Sequence, residues 1–550
     1  MSDALLSGVS GMKAHQKMID VAGNNLANLS TNAFKSSRVT FADMLSETIK
    51  EASQPTTAIG GTNPQQIGSG VKIASVDRNM TQGSLVNTGK PLDMAIEGEG
   101  YFVVNDGEQN VYTRVGTFSV DSQYYLVDSG SGYRVQRVGS EGVNEGFQEL
   151  VNDSIRIPYD MALPAESTSN VNFGGNLTAN SDITPTTNEL TSEIVYTSND
   201  SPASNDTLIK DLDQNSSFSG SLTITGISHD GTEAEETTLA VDDDTTLGDL
   251  IDAINAAFDG TGVTARMENG QIMVKDDEAG YSQTDVSIAV ADGTSGTLEL
   301  PNNFKILTPG GAAVRNTNVT IFDSQGISHT LSTSFVRTDT HNTWDLVITS
   351  VSGDAKLVDR RVRSITFKSD GSYGGLDTDI GDNASIQLGF GYDDYATKTI
   401  TLDLGTVSGF DGLTQFGGTS TVSPTGQDGY ASGVLSNLSV TNEGVLVGVF
   451  TNGIRKDIAA IRVATFQNPA GLESIGNNFY AASANSGEPV PTKGLSGGAG
   501  TISGGTLEGS NVEVAAEFVN LIQAQNGYMA NARTIRVSSD MLQQLTNLIR

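Results

Sequence analysis

The chain has 550 residues, 31 Lys+Arg against 65 Asp+Glu, a formal net charge of -34 and no cysteine. The length calls for roughly three to five domains. The charge excludes a nucleic-acid binder, which needs a basic face to displace phosphate counterions. The missing thiols exclude disulfides and thiolate metal sites.

Met1–Met18 lacks a basic region followed by an apolar run of about 7–15 residues, so no cleaved secretory signal is expected. No stretch of about 18 apolar residues suggests a membrane span. From Leu5, small or apolar residues step by four and three through Val9, Met12, Gln16, Ile19, Gly23 and Leu26. This is the 3.5-residue period of a helix–helix seam. Further apolar residues off that seam (Ala4, Leu6, Met18, Val21, Ala22) call for more than one packing partner. Residues 51–70, rich in Gly, Pro and Gln, read as a connector.

Alternating strand-like residues with turn signals fill 71–160, including Asn105-Asp106-Gly107 after Tyr101–Val104. Residues 189–300 hold 23 Asp/Glu and three Lys/Arg. Within them Thr246 and Asp249 form a capping box for a helix with the face Leu247, Leu250, Ile251, Ile254 and Phe258. Val263–Met267, Asn269-Gly270 and Gln271–Val274 read as a tight hairpin. Residues 312–425 read as β, with a turn at Asp323–Gly326, and Asn452-Gly453 separates two further strands. Residues 494–505 read as a second, glycine-rich connector. A last helix is expected over 512–549, about 57 Å long, with Ser510 and Glu513 as its capping box and Arg550 closing it. Its seam runs Val514, Phe518, Leu521, Gln525, Tyr528, Ala532, Ile535, Ser539, Leu542, Thr546 and Ile549. Asn526-Gly527 marks a soft point, since Gly costs roughly 0.5–1 kcal/mol relative to Ala inside a helix.

The expected fold is therefore multidomain and mainly β, with an inserted acidic α+β domain and terminal helices pairing as a coiled-coil-like domain. The nested boundaries are 1–70 with 506–550, 71–160 with 428–505, 161–188 with 309–427, and 189–308. No catalytic, cofactor or metal site is expected. His15, His229, His329 and His341 have no metal-ligand spacing, and Asp242-Asp243-Asp244 lacks the Gly and Glu of a calcium loop.

Three separated motifs carry a resemblance. Asn24–Lys35 (NNLANLSTNAFK) and Asn87–Phe102 (NTGKPLDMAIEGEGYF) resemble blocks of the bacterial flagellar rod and hook axial protein family. So does the C-terminal run through Leu507-Glu508, Ser510–Val512, Gln525, Tyr528, Ala530-Asn531, Ile535, Met541-Leu542, Leu545 and Leu548. Ala33 departs from the family pattern, which usually has Gly there. A left-handed turn at Ala33 would cost about 1–2 kcal/mol unless Asn32 takes it.

Within that family the length suits a hook-type chain better than a rod-type one. The resemblance implies a subunit that self-assembles into a flexible tube transmitting torque from rod to filament. It implies a homopolymer that meets the rod, the hook cap and the hook–filament junction proteins. It also implies passage through the flagellar type III export apparatus to an extracellular position, with no nucleic acid and no membrane insertion. The residues expected at subunit contacts are Leu5, Val9, Met12, Ile19, Leu26, Asn28, Thr31, Phe34, Val514, Phe518, Leu521, Gln525, Tyr528, Asn531, Ile535, Leu542, Leu545 and Ile549. The competing readings are a distal rod-type axial protein and, from another class, a secreted β-rich adhesin or glycan-binding protein.

Overall fold

The computed structural model describes residues 2–57, 59–180, 184–291, 294–376, 384–393 and 395–548. The chain divides into two compact units, Met1–Leu163 with Gly433–Arg550, and Pro164–Ser432. Ile549 and Arg550, assigned above to the end of the last helix, lie outside the described residues.

In the first unit α1 (Ser2–Ala27) packs on the C-terminal helix, and the β body is woven from both ends of the chain. Tyr101–Asn105 pairs with Asn110–Thr113 on one side, around the expected turn, and with Val463–Thr465 on the other. Asn452-Gly453 closes the hairpin of Val445–Phe450 with Arg455–Ile461. Phe102, Val104 and Ile461 of these strands are completely buried, as are Ile96, Leu126 and Ile502 of Met94–Glu97, Leu126–Asp128 and Thr501–Gly504.

Both expected connectors turn out to contain strands. Ser37–Asp43 pairs with Val71–Arg78, and the ladder continues through Ser46–Lys50 and Gln65–Gly68 to a bridge between Ser53 and Thr62. Residues 37–78 thus form one long hairpin arm. Gln54, Pro55, Gly60 and Gly61 lie at the tip, while Gln65, Gln66 and Gly68 sit in the ladder with β-favouring Thr48 and Ile49. In the second stretch Thr501–Gly504 pairs with Met94–Glu97, and only its glycine-rich first half is a turn.

The second unit holds the hairpin of Val314–Phe322 with Ser328–Arg337, turned at Asp323–Gly326. Beside these strands Trp344, Leu346 and Ile348 are fully buried. In the acidic segment, α2 (Leu247–Ala257) begins with both arms of the Thr246–Asp249 capping box formed, and Leu247, Leu250, Ile251, Ile254 and Phe258 are buried. Asn269 and Gly270 take φ of +52° and +79°, the left-handed pair that a two-residue hairpin turn requires. This segment is not walled off from its host. Val336 and Val347 of the host strands belong to the same apolar cluster as Ile254 and Phe258.

Asp428 ties the chain entering this unit to the chain leaving it. Its carboxylate accepts from the Ser169 and Asn170 backbone N–H groups at 2.8 and 2.9 Å, and from their side chains at 2.7 and 2.8 Å. Burial alone would raise its pKa, but these donors hold it down to about 2. The depressed value makes the clasp fully effective above about pH 4 and lost as pH falls through about 2. Amide exchange at Ser169 and Asn170 should accelerate across that window. Asp428→Asn should exchange faster at neutral pH and show no such acid step.

Candidate assembly interface

α1 meets α3 (Val514–Leu548) along a stripe of small residues. Gly8, Gly11, Ala14 and Ala22 of α1 and Ala524 and Ser538 of α3 are buried. A methyl group on Gly8 would lie 3.0 Å from Ile535 Cγ1. One on Gly11 would lie 2.7 Å from Asn531 Oδ1, and one on Gly527 2.5 Å from the His15 ring. Asn531 Nδ2 donates to the Gly527 carbonyl at 2.8 Å. The helix runs unbroken through Asn526-Gly527, so Gly527 is a point of close approach instead of the soft point expected.

The expected seam is therefore offset. Half of it shifts: Ala524, Asn531 and Ser538 pack in place of the expected Gln525, Ala532 and Ser539, each one position earlier, while Leu521, Tyr528 and Ile535 keep their places between them. Leu521, Tyr528, Asn531 and Ile535 are half-buried, as are Leu5, Val9, Met12, Ile19, Leu26, Asn28, Thr31 and Phe34. Val514, Phe518, Gln525, Leu542 and Leu545 are exposed, and Ile549 lies outside the described residues. Small residues bring the backbones together and leave the large ones outside. Leu6, Phe518, Ile522, Met529 and Val537 are each at least half exposed. A groove of about 720 Å³ runs between Ala4 and the Met529–Met541 face. Exposed apolar side chains gathered on one face are typical of interaction sites.

A polar knot anchors the helix pair to the β body. Asn25, fully buried, donates to the Ser37 carbonyl at 2.7 Å and to Glu517 Oε1 at 3.0 Å, and accepts from Ser37 N–H. Asn511 accepts from Ser36 N–H at 2.8 Å and donates to the Asn79 and Thr81 carbonyls. Lys35 Nζ lies 2.6 Å from Glu508 Oε1, with both side chains at most 1% exposed, and also donates to the Thr81 carbonyl. Gly83 N–H donates to the same carboxylate oxygen at 2.9 Å, and Arg114 Nη1 stands 3.5 Å from the other oxygen. Burial, opposed by Glu508 and reinforced by Arg114, pulls the Lys35 pKa below 10.5.

Ala33 itself takes the left-handed turn, at φ +57°, and its N–H donates to the Glu508 carbonyl at 2.8 Å. Asn32 does not relieve it. The expected Ser510–Glu513 capping box does not form. Ser510 Oγ accepts from Val512 N–H at 3.4 Å, while the helix starts two residues later and Asn511 is drawn into the knot. Elsewhere, the Asp242 carboxylate accepts from Asp244 N–H and the Thr245 hydroxyl in the turn before α2. His229 bonds Asp276, and His329 bonds Asp323 and the Ser352 carbonyl.

The motifs that form the knot and the helix pair coincide with family models. "Flagella basal body rod protein" matches residues 5–35, and "Flagellar basal body rod FlgEFG protein C-terminal" matches 503–548. "Flagellar hook protein FlgE/F/G D1 domain" covers 95–179, "Flagellar basal body protein FlaE D2 domain" covers 290–430, and "Flagellin hook IN motif" covers 221–278. The flagellar hook protein FlgE of Borreliella burgdorferi is 30% identical over 566 residues, spanning all of both chains. The chain belongs to the flagellar hook protein family. As a hook-family chain it is a structural subunit of the flagellar hook. The hook protein of Treponema pallidum is 31% identical over 560 residues, again spanning all of both chains. The basal-body rod protein FlgG of Bacillus subtilis is 47% identical over 135 residues, 24% of this chain and 51% of that protein. Among solved structures, Helicobacter pylori flagellar hook protein FlgE2 aligns at 18% identity over 76% of this chain and 98% of that one, with a TM-score of 0.41.

Proposed function

We propose that the chain polymerises through α1 and α3 into a flexible tube that transmits torque from the flagellar rod to the filament. The observation that carries this reading is the apolar face that the helix pair leaves outside itself, where Leu6, Phe518, Ile522, Met529 and Val537 are each at least half exposed. From Ser539 to Asn547 every residue of α3 is exposed. Such a segment gains little to offset its ordering entropy until neighbouring copies cover it. The expected contact residues from Leu5 to Ile549 fall to this interface. The nested four-body division assigns the tube's inner layer to 1–70 with 506–550 and its outer layers to the remaining bodies. A polymer of this kind meets the rod, hook cap and junction proteins at its ends, and its subunits leave the cell through the type III exporter. The role is mechanical, without catalysis or cofactor.

Deleting 540–550 tests this. Met541, Leu542 and Leu545 are exposed in the single chain, yet each is worth about 1.5–3 kcal/mol once buried. The truncated protein should remain a soluble β-folded monomer with an unchanged melt, and electron microscopy should show no tubes. Normal tubes would remove the assembly role from this helix.

A further inference from the structure

A cleft of about 680 Å³ opens in the first unit where the base of the hairpin arm, the start of α3 and the loop at 468–470 meet. Arg38 and Asp77 line it, directly opposite each other in the arm's ladder, together with Met80, Tyr101, Pro469 and Ala470. Of the other charged groups around it, Arg78 lies over the Tyr480 ring, Glu517 accepts from Asn25, and Glu99 is exposed. The side chains of Arg38 and Asp77 make no hydrogen bond or ion pair among the described residues.

The far end of α3 carries the complementary pattern. Arg536 and Asp540 stand one helical turn apart, both exposed and likewise without partners among the described residues. Val537, Met541 and Leu545 form the row beside them, all exposed. Asp540 is the only charged residue of 537–549. Side chains four residues apart on a helix lie about 5–6 Å from each other, and directly opposed residues of an antiparallel ladder about 4.5–5.5 Å. The two charge pairs therefore match in spacing, and each can be laid on the other with opposite signs in contact. Cleft and tail lie at opposite ends of one antiparallel helix pair, since Asn25 meets Glu517 at the cleft and Gly8 meets Ile535 near the tail. From Glu517 to Asp540 the helix runs about 35 Å, so no copy can fill its own cleft.

We propose that the end of α3 of one copy seats in the cleft of the next, with Asp540 on Arg38 and Arg536 on Asp77. The inference rests on assembly through α1 and α3, and it names the contact that gives that assembly a direction. The row of Val537, Met541 and Leu545 then meets Met80, Pro469 and Ala470, adding apolar burial to the two ion pairs. A contact between two different surfaces is heterologous, and one that does not close into a ring builds an open helical polymer, as a tube requires.

Two charge exchanges in the full chain test this. Arg38→Asp/Asp77→Arg swaps the signs within the arm, and Arg536→Asp/Asp540→Arg swaps them within α3. Neither alters the net charge or sets like charges together within one copy. Across the contact, however, each exchange opposes like charges in every pair of neighbours, which is costly. Each should raise the concentration needed for tubes, read by electron microscopy and sedimentation, about tenfold or more. The quadruple variant restores both pairs and should return to within about threefold of the parent chain. Its recovery separates a lost contact from a misfolded chain. Exchanges that assemble like the parent overturn the contact while leaving assembly through the helices standing, and a quadruple variant no better than either exchange does the same. A parent chain that forms no tubes overturns both.

Discussion

Replacing Glu508 by Ala should destabilise the first unit by about 3–5 kcal/mol, the usual cost of removing one partner from a buried ion pair. The carboxylate is the only anion in contact with two buried cations among the described residues of the knot, Lys35 at 2.6 Å and Arg114 at 3.5 Å. Arg114 keeps the Gly98 carbonyl at 2.7 Å and the face of Tyr101. Lys35 keeps only the Thr81 carbonyl. Glu508→Gln preserves the shape and one acceptor and should lose less. Lys35→Met should also lose less, because Glu508 retains Arg114 and Gly83 N–H.

The pH dependence gives a second reading of the same variant. Lys35 already releases its proton below 10.5 in the folded chain. Just below that pH the unfolded chain binds more protons, so stability rises with pH there. Glu508 raises the Lys35 pKa, so its loss should extend that window to lower pH. Glu508→Ala should therefore recover part of its deficit on alkaline titration. Chemical denaturation at pH 7 and pH 10 measures both effects. A loss below about 1 kcal/mol at pH 7 would show that the knot is a bystander.

Features set by neighbours three or four residues apart were legible in the sequence. Thr246 and Asp249 cap each other, and Asn269-Gly270 can turn a two-residue hairpin, whatever surrounds them. The terminal helices were legible from their period, but their register only in part, since Leu521, Tyr528 and Ile535 are half-buried as expected while the positions between them shift by one. Periodicity is read from large apolar residues such as Phe518 and Leu542, and these face away from the helix pair. The stripe that pairs is written in Gly8, Gly11, Ala524 and Ser538, which carry almost no hydropathy signal. The hairpin arm was hidden for a related reason. Gln65–Gly68 has the composition of a loop, and its strand partner at Ser46–Lys50 supplies the ladder. The Lys35–Glu508 pair joins residues 473 positions apart. No local pattern announces such a pair, although both residues stood inside the motifs that carried the resemblance.

Gly527→Leu should part α1 from α3 and abolish tube formation while leaving the β bodies intact. The physical reason lies in the 2.5 Å that separates a Cβ at this position from His15 Cε1 and Nε2. Real side chains do not approach so closely, so the ring or the helix must move, and overpacking of this kind costs about 1–3 kcal/mol or more. Smaller changes decide whether Gly527 is there for packing or for pliancy. As a soft point, its replacement by Ala would simply gain about 1 kcal/mol of helix propensity. As a point of close approach, Gly527→Ala should lose stability and weaken assembly despite that gain. Gly23 supplies the contrast, because nothing lies within 4 Å of a Cβ placed there. Gly23→Ala should therefore stabilise α1 by about 1 kcal/mol. The deciding measurement is suppression. His15→Ala empties the space that the new methyl group needs, so the double variant His15→Ala/Gly527→Ala should assemble better than Gly527→Ala alone, by electron microscopy and by the concentration needed for tubes. Gly527→Ala tubes equal to those of the parent chain, or no rescue by His15→Ala, would return the position to the role of a hinge.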